Sequence, residues 1–145
     1  MVDVFFYHLE RSTPHEVLPS LLEKTLKRGW RALVKLADRE AMQAMDEALW
    51  TYRDESFLPH GTQGAEQPIL LTLSDEPENG ADAVFLAPGA SMDPAAMNRF
   101  ERCVLLFTPA ETQEAREQWK TLKAEGHDVT YWRQTMAGAW EKASA

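Results

Sequence analysis

The feature that most constrains this chain is the way its apolar residues change period. Residues 2–9 form a short apolar run rich in β-formers, with Val2, Val4, Phe5, Phe6 and Tyr7, and such a run suits a strand buried on both faces. After Ser12-Thr13-Pro14, a cap followed by a first-turn proline, Val17, Leu18, Leu21, Leu22, Thr25 and Leu26 recur at helical spacing until Gly29. Residues 30–36 return to the strand pattern. Asp38 can then cap a second helix with Ala41, Met42, Met45, Ala48 and Leu49 on one side. Strand, helix, strand, helix implies parallel pairing, because parallel neighbours need a long crossover that a tight hairpin cannot supply.

Residues 50–68 lose periodicity and carry Pro59, Gly61, Gly64 and Pro68, which predicts a loop. Short apolar runs at 69–73, 83–87 and 103–108 are further strand candidates, with a polar stretch at 74–82 and a short helix over 92–100 between them. Pro109 opens a helix over about 110–125, Gly126 stops it, and 128–133 alternates as a half-solvated strand. No internal repeat is evident. The expected architecture is a single three-layer, Rossmann-like α/β domain over 1–134, a mostly parallel sheet with helices on both faces, followed by an irregular C-terminal tail at 135–145.

Composition excludes more than it assigns. With 145 residues and 44% hydrophobic content the chain can bury a core without staples. Its single cysteine, Cys103, sits inside an apolar run, so neither a disulfide framework nor a cysteine zinc site is expected. The start has no basic leader or cleavage site, and no apolar stretch approaches a membrane span; a soluble cytoplasmic protein is expected. The formal charge of −8 opposes phosphate backbones, so contact with DNA is expected to be indirect.

A doubly wound sheet invites a search for nucleotide chemistry. The first strand runs into Leu9-Glu-Arg-Ser-Thr-Pro14 without a glycine, whereas phosphate loops need glycines for close backbone approach. His8, His15, His60 and His127 are scattered and none has a metal-ligand spacing. Asp46 and Glu47 diverge by about 100° on a helix, poor geometry for two carboxylates acting on one bond. Cys103 reads as a small buried hydrophobe. No catalytic residue, metal or cofactor is expected. The rival reading is a Rossmann-like nucleotide-binding domain or enzyme of unknown substrate whose partners are distant in sequence.

Two segments read as binding surfaces. The first runs from Asp46 to His60, where Trp50, Tyr52, Phe57, Leu58 and Pro59 lie as the chain leaves a helix; such aromatics either lock a loop to the core or anchor a partner. The second is the helix after Pro109. At about 100° per residue, Thr112, Arg116, Trp119, Lys120 and Lys123 share an arc of about 100°, while Glu111, Glu114, Glu117 and Glu125 fall outside it. Trp119 lies between this basic stripe and the apolar positions Ala115 and Leu122. A solvated face with local ion pairing explains the same pattern.

The first segment also resembles a known family. Asp46-Glu-Ala-Leu-Trp50, a polar spacer and Glu55-Ser-Phe-Leu-Pro-His60 are similar to the signature of the chi subunit of DNA polymerase III, and the opening Phe5-Phe-Tyr7 and the length agree. The resemblance implies a non-catalytic accessory of the clamp-loader complex. It implies partners in the psi subunit and in the acidic C-terminal tail of single-stranded DNA-binding protein. It also implies that Trp50, Phe57, Leu58, Pro59 and His60 dock psi or a helicase. Arg116, Trp119 and Lys120 match the basic and aromatic residues that hold the tail in relatives. The chain is about three residues shorter before the stripe than its relatives, which leaves Thr112 or Lys123 as substitutes for a further contact.

Overall fold

Strand β1 (Asp3–His8) lies inside the sheet, flanked by β6 (Arg102–Phe107) and β7 (Asp128–Gln134), and runs parallel to both. Phe6 stands opposite Leu105 on one side and Tyr131 on the other. The remaining strands are β2 (Ala32–Lys35), β3 (His60–Gly61), β4 (Ile69–Thr72), β5 (Ala83–Leu86) and β8 (Trp140–Ala143). Their order is β3-β4-β2-β5-β6-β1-β7-β8, and among the described residues every pairing is parallel except β7 with β8. This computed structural model describes residues 3–10, 12–50, 60–62, 66–76, 79–134 and 140–143.

The pleat sorts the strands' side chains into two cores. Val4, Phe6, Leu33, Val84, Cys103, Leu105 and Phe107 face one way, joined by residues of α3 (Pro94–Met97) and α4 (Thr112–Ala124). Ala32, Val34, Ile69, Phe85, Val104 and Leu106 face the other, joined by α1 (Pro14–Lys27) and α2 (Arg39–Trp50). Both faces of the central strands are therefore apolar, which is why these runs read as continuous hydrophobic segments. The α1 start is built as expected: Pro14 is the first helical residue and the Thr13 N–H donates to the Glu16 carboxylate at 3.1 Å.

Three local outcomes differ from the sequence reading. Residues 140–143 are not irregular: they form β8, an antiparallel edge strand whose Trp140 is paired with Gln134 and packs on Tyr7. The expected loop 50–68 contains the short strand β3, where His60 pairs with Ile69. The helix after Pro109 begins with a tight 3-10 turn over Pro109–Glu111, closed by Thr108, whose N–H donates to Glu111 at 2.8 Å.

The connections explain where a site can form. The chain leaves β1 for α1 on one face, and leaves the adjacent strand β6 for α4 on the other. Neighbouring strands whose connections part to opposite faces open a crevice at their carboxyl ends. Here those ends are His8 and Phe107.

Candidate functional site

The crevice beside β1 and β6 is a cavity of about 440 Å³, lined by Phe6, His8, Phe107, Tyr131 and Arg133 from the sheet, by Glu10 just past β1, and by Thr112, Ala115, Arg116 and Trp119 from α4. Its position follows from local rules. Ala115 and Leu122 are buried and fix which side of α4 meets the sheet. That orientation turns Thr112, Arg116 and Trp119 along the cavity edge, and it sends Lys120, about 40° further round than Arg116, outward to solvent.

The floor is aromatic. Trp119 meets Phe6 edge-on at 5.6 Å between ring centroids and Tyr131 at 6.0 Å, and His8 stacks on Phe107 at 4.6 Å. The rim is cationic: Arg116 is exposed, Arg133 donates to Glu141 at 2.9 Å, and the Lys123 ammonium stands 5.3 Å from the centre of the Trp119 ring. Glu10 is a carboxylate on the same lining. The opposite flank of α4 contrasts sharply in charge. Glu111, Glu114 and Glu117 line a separate groove of about 420 Å³ over Met97 and Leu105.

His8 links β1 to β7 electrostatically. Its Nδ1 lies 2.8 Å from the Tyr131 hydroxyl and 3.2 Å from a Glu10 oxygen. Burial pushes its pKa below the ordinary histidine value; Glu10 pulls it back up and Arg116 adds to the depression. The Tyr131 hydroxyl is raised by burial and then by Glu10, against the pull of Arg116 and Arg133. Cys103 lies far from any such partner: it is fully buried and its thiol is pushed up to about 12.

Thus the structure brings Thr112, Arg116 and Trp119 to one cavity, places Lys123 against Trp119 and leaves Lys120 exposed outside the lining. Sequence reasoning missed Phe6, His8, Phe107, Tyr131 and Arg133. The available signal was the two-residue strand period, which puts Phe6 with His8 and Tyr131 with Arg133 on one face. Such an arrangement can hold a ligand that is anionic and partly aromatic, with rings below and guanidinium groups above.

Of the second segment, Phe57, Leu58 and Pro59 lie outside the described residues. Trp50 is 56% exposed at the end of α2. His60 does not present its ring to solvent: it is buried, its Nε2 is 3.0 Å from an Asp46 oxygen, and it packs 4.7 Å from the Trp50 ring. Among the described residues no cluster of three or more metal-ligating side chains occurs, and no helix is long and apolar enough to cross a membrane.

Comparison with known proteins places the chain in a family. The profile of the family described as DNA polymerase III chi subunit, HolC, matches residues 1–130. DNA polymerase III subunit chi of Pseudomonas aeruginosa is 28% identical over 136 residues, which cover 89% of this chain and 94% of that protein. The probable DNA polymerase III subunit chi of Rickettsia prowazekii is 29% identical over 87 residues, 57% of this chain and 53% of that protein. With the family profile spanning nearly the whole sequence, the chain belongs to the DNA polymerase III chi subunit family.

Proposed function

We propose that this chain is a non-catalytic, cytoplasmic accessory subunit that ties the DNA polymerase III clamp-loader complex to single-stranded DNA-binding protein. The tie is that protein's acidic C-terminal tail, seated in the cavity between α4 and β7. One observation carries the reading: Arg116 and Arg133 edge a cavity floored by Phe6, Phe107, Trp119 and Tyr131. A peptide of aspartates ending in an aromatic residue offers both halves of the complement, carboxylates for the guanidinium groups and a ring for the floor. The net charge of −8 opposes a broad contact with the DNA backbone, so the partner is what carries the chain to DNA.

A second surface belongs to the same proposal. Trp50, packed on His60, stands exposed at the start of the segment that carries Phe57, Leu58 and Pro59, and this segment docks the psi subunit or a helicase. Two modest contacts on one small adaptor gain strength from effective concentration.

The deciding measurement is a titration of the chain with a synthetic acidic peptide ending in phenylalanine, beside the same peptide with its last residue removed. The full peptide binds with about micromolar affinity, more weakly as salt rises, and the truncated one binds far less. Equal binding of the two peptides would refute seating of a terminal ring. Phe57→Ala loses psi or helicase in a pull-down while retaining the peptide; loss of both together would refute two separate surfaces.

A further inference from the structure

A cavity of about 270 Å³ lies on the opposite face of the sheet, between α1 and strands β1, β5 and β6. Lys24 and Arg28 from α1 and Arg102 from β6 line it together with Phe5, Tyr7 and Trp30, and no carboxylate stands among its described lining residues. The guanidinium carbons of Arg28 and Arg102 stand 4.1 and 5.3 Å from the centre of the Trp30 ring, and Arg102 is also 4.5 Å from that of Phe5. Two like charges thus share one indole.

Arg102 is the anomaly. Its Nε is shut off from solvent and has no hydrogen-bond acceptor among the described residues. Burial lowers its pKa, the charge of Arg28 lowers it further, and Asp3 and Tyr7 only partly oppose this. A charged donor left without an acceptor costs more than a neutral one, and an apolar side chain of similar length would pack on Phe5 and Trp30 without that cost. An anion entering the cavity meets the terminal N–H groups of the same guanidinium, offsetting a charge whose Nε lacks an acceptor among the described residues, and screens Arg28 from Arg102.

We propose that this cavity binds the phosphate of a nucleotide, held by Arg28 and Arg102 with Lys24 beside them, its base stacking on the guanidinium planes that cover Trp30 and Phe5. Convergence of three cations favours a phosphate monoester over a single carboxylate, and guanidinium forks match its oxygens. The aromatic walls favour a flat ring attached to it. The site is independent of the cavity beside α4, which lies on the other face of the sheet. The phosphate belongs either to a free nucleotide or to the end of a DNA strand.

The test titrates the whole chain with inorganic phosphate, deoxyadenosine, deoxyadenosine monophosphate, and a short oligodeoxythymidine with and without its terminal phosphate. Binding is read by calorimetry and by the tryptophan emission that Trp30→Phe removes. Deoxyadenosine monophosphate binds more tightly than inorganic phosphate, and deoxyadenosine does not bind. Arg102→Met and Arg28→Gln each weaken the nucleotide by about tenfold or more, with the melting temperature of Arg102→Met undiminished. A phosphorylated oligonucleotide that outcompetes the mononucleotide identifies a strand end as the source, and the reverse order identifies a free nucleotide. Absence of binding by every phosphate probe, unchanged affinity in both arginine variants, or capture of an acidic peptide in their place overturns the proposal.

Discussion

Reversing the charge of Arg116 is the sharpest perturbation of the proposed tail site. Arg116 is exposed on the cavity rim, so its contact with a peptide carboxylate is worth about 1 kcal/mol, the upper range for exposed ion pairs. Arg116→Glu removes that contact and adds repulsion, which at about 4 Å in a water-like dielectric is again about 1 kcal/mol. The sum, about 2 kcal/mol, is about a 30-fold loss of affinity, against about fivefold for the neutral Arg116→Gln. Arg133 cannot replace it fully, because it already donates to Glu141 at 2.9 Å, and Glu10 on the same lining opposes any anion. Lys120, outside the lining, loses much less when replaced by Gln. Fluorescence anisotropy of a labelled peptide measures all three, and the gap between wild type and Arg116→Glu narrows as added salt shortens the Debye length. Affinity of Arg116→Glu within about twofold of wild type, at unchanged melting temperature, would refute the placement of carboxylates beside α4.

Further outcomes follow from the same structure. Leu122 is 2% exposed in the core beneath α4, and Leu122→Ala lowers unfolding free energy by about 2–5 kcal/mol in urea titrations and weakens peptide binding by loosening the helix. His8, whose folded pKa lies below the ordinary value of 6.5, binds its proton more readily in the unfolded chain, so its contribution to stability declines as pH falls through that value toward the folded one. Urea midpoints at neutral and mildly acidic pH therefore differ less in His8→Leu than in wild type; an equal difference would contradict the burial of His8. Cys103, with its thiol pushed up to about 12, reacts with a thiol reagent only at the rate of unfolding, and rapid labelling of the native protein would contradict its enclosure.

Much of the fold and half of the site could be read from local patterns, and the boundary between the two is physical. The switch of apolar period from two to 3.6 is a property of neighbouring residues, so it marks β1, α1, β2 and α2 and implies parallel strands without reference to any tertiary contact. The placement of Arg116, Trp119 and Thr112 on one arc of α4 is equally local, since the helix repeat alone decides it. The strand β8 was missed because four residues after 135–139 carry no stretch long enough to show a period; pairing with β7 makes them a strand.

The other half of the cavity required the tertiary structure. Tyr131 reaches the ring of His8 across 123 residues of sequence, and Phe107 stacks on the same ring from β6, because the sheet order places β6, β1 and β7 side by side. In the same way Asp46 meets His60 only once α2 packs beside β3. Periodicity tells which face of an element is apolar, whereas the choice of neighbour depends on how all the faces are covered together. The sequence by itself thus determined a parallel α/β chain with a basic, tryptophan-bearing helix. Only the assembled sheet decided that the helix overlooks an aromatic hollow and that Arg28 and Arg102 meet over Trp30 on the far side.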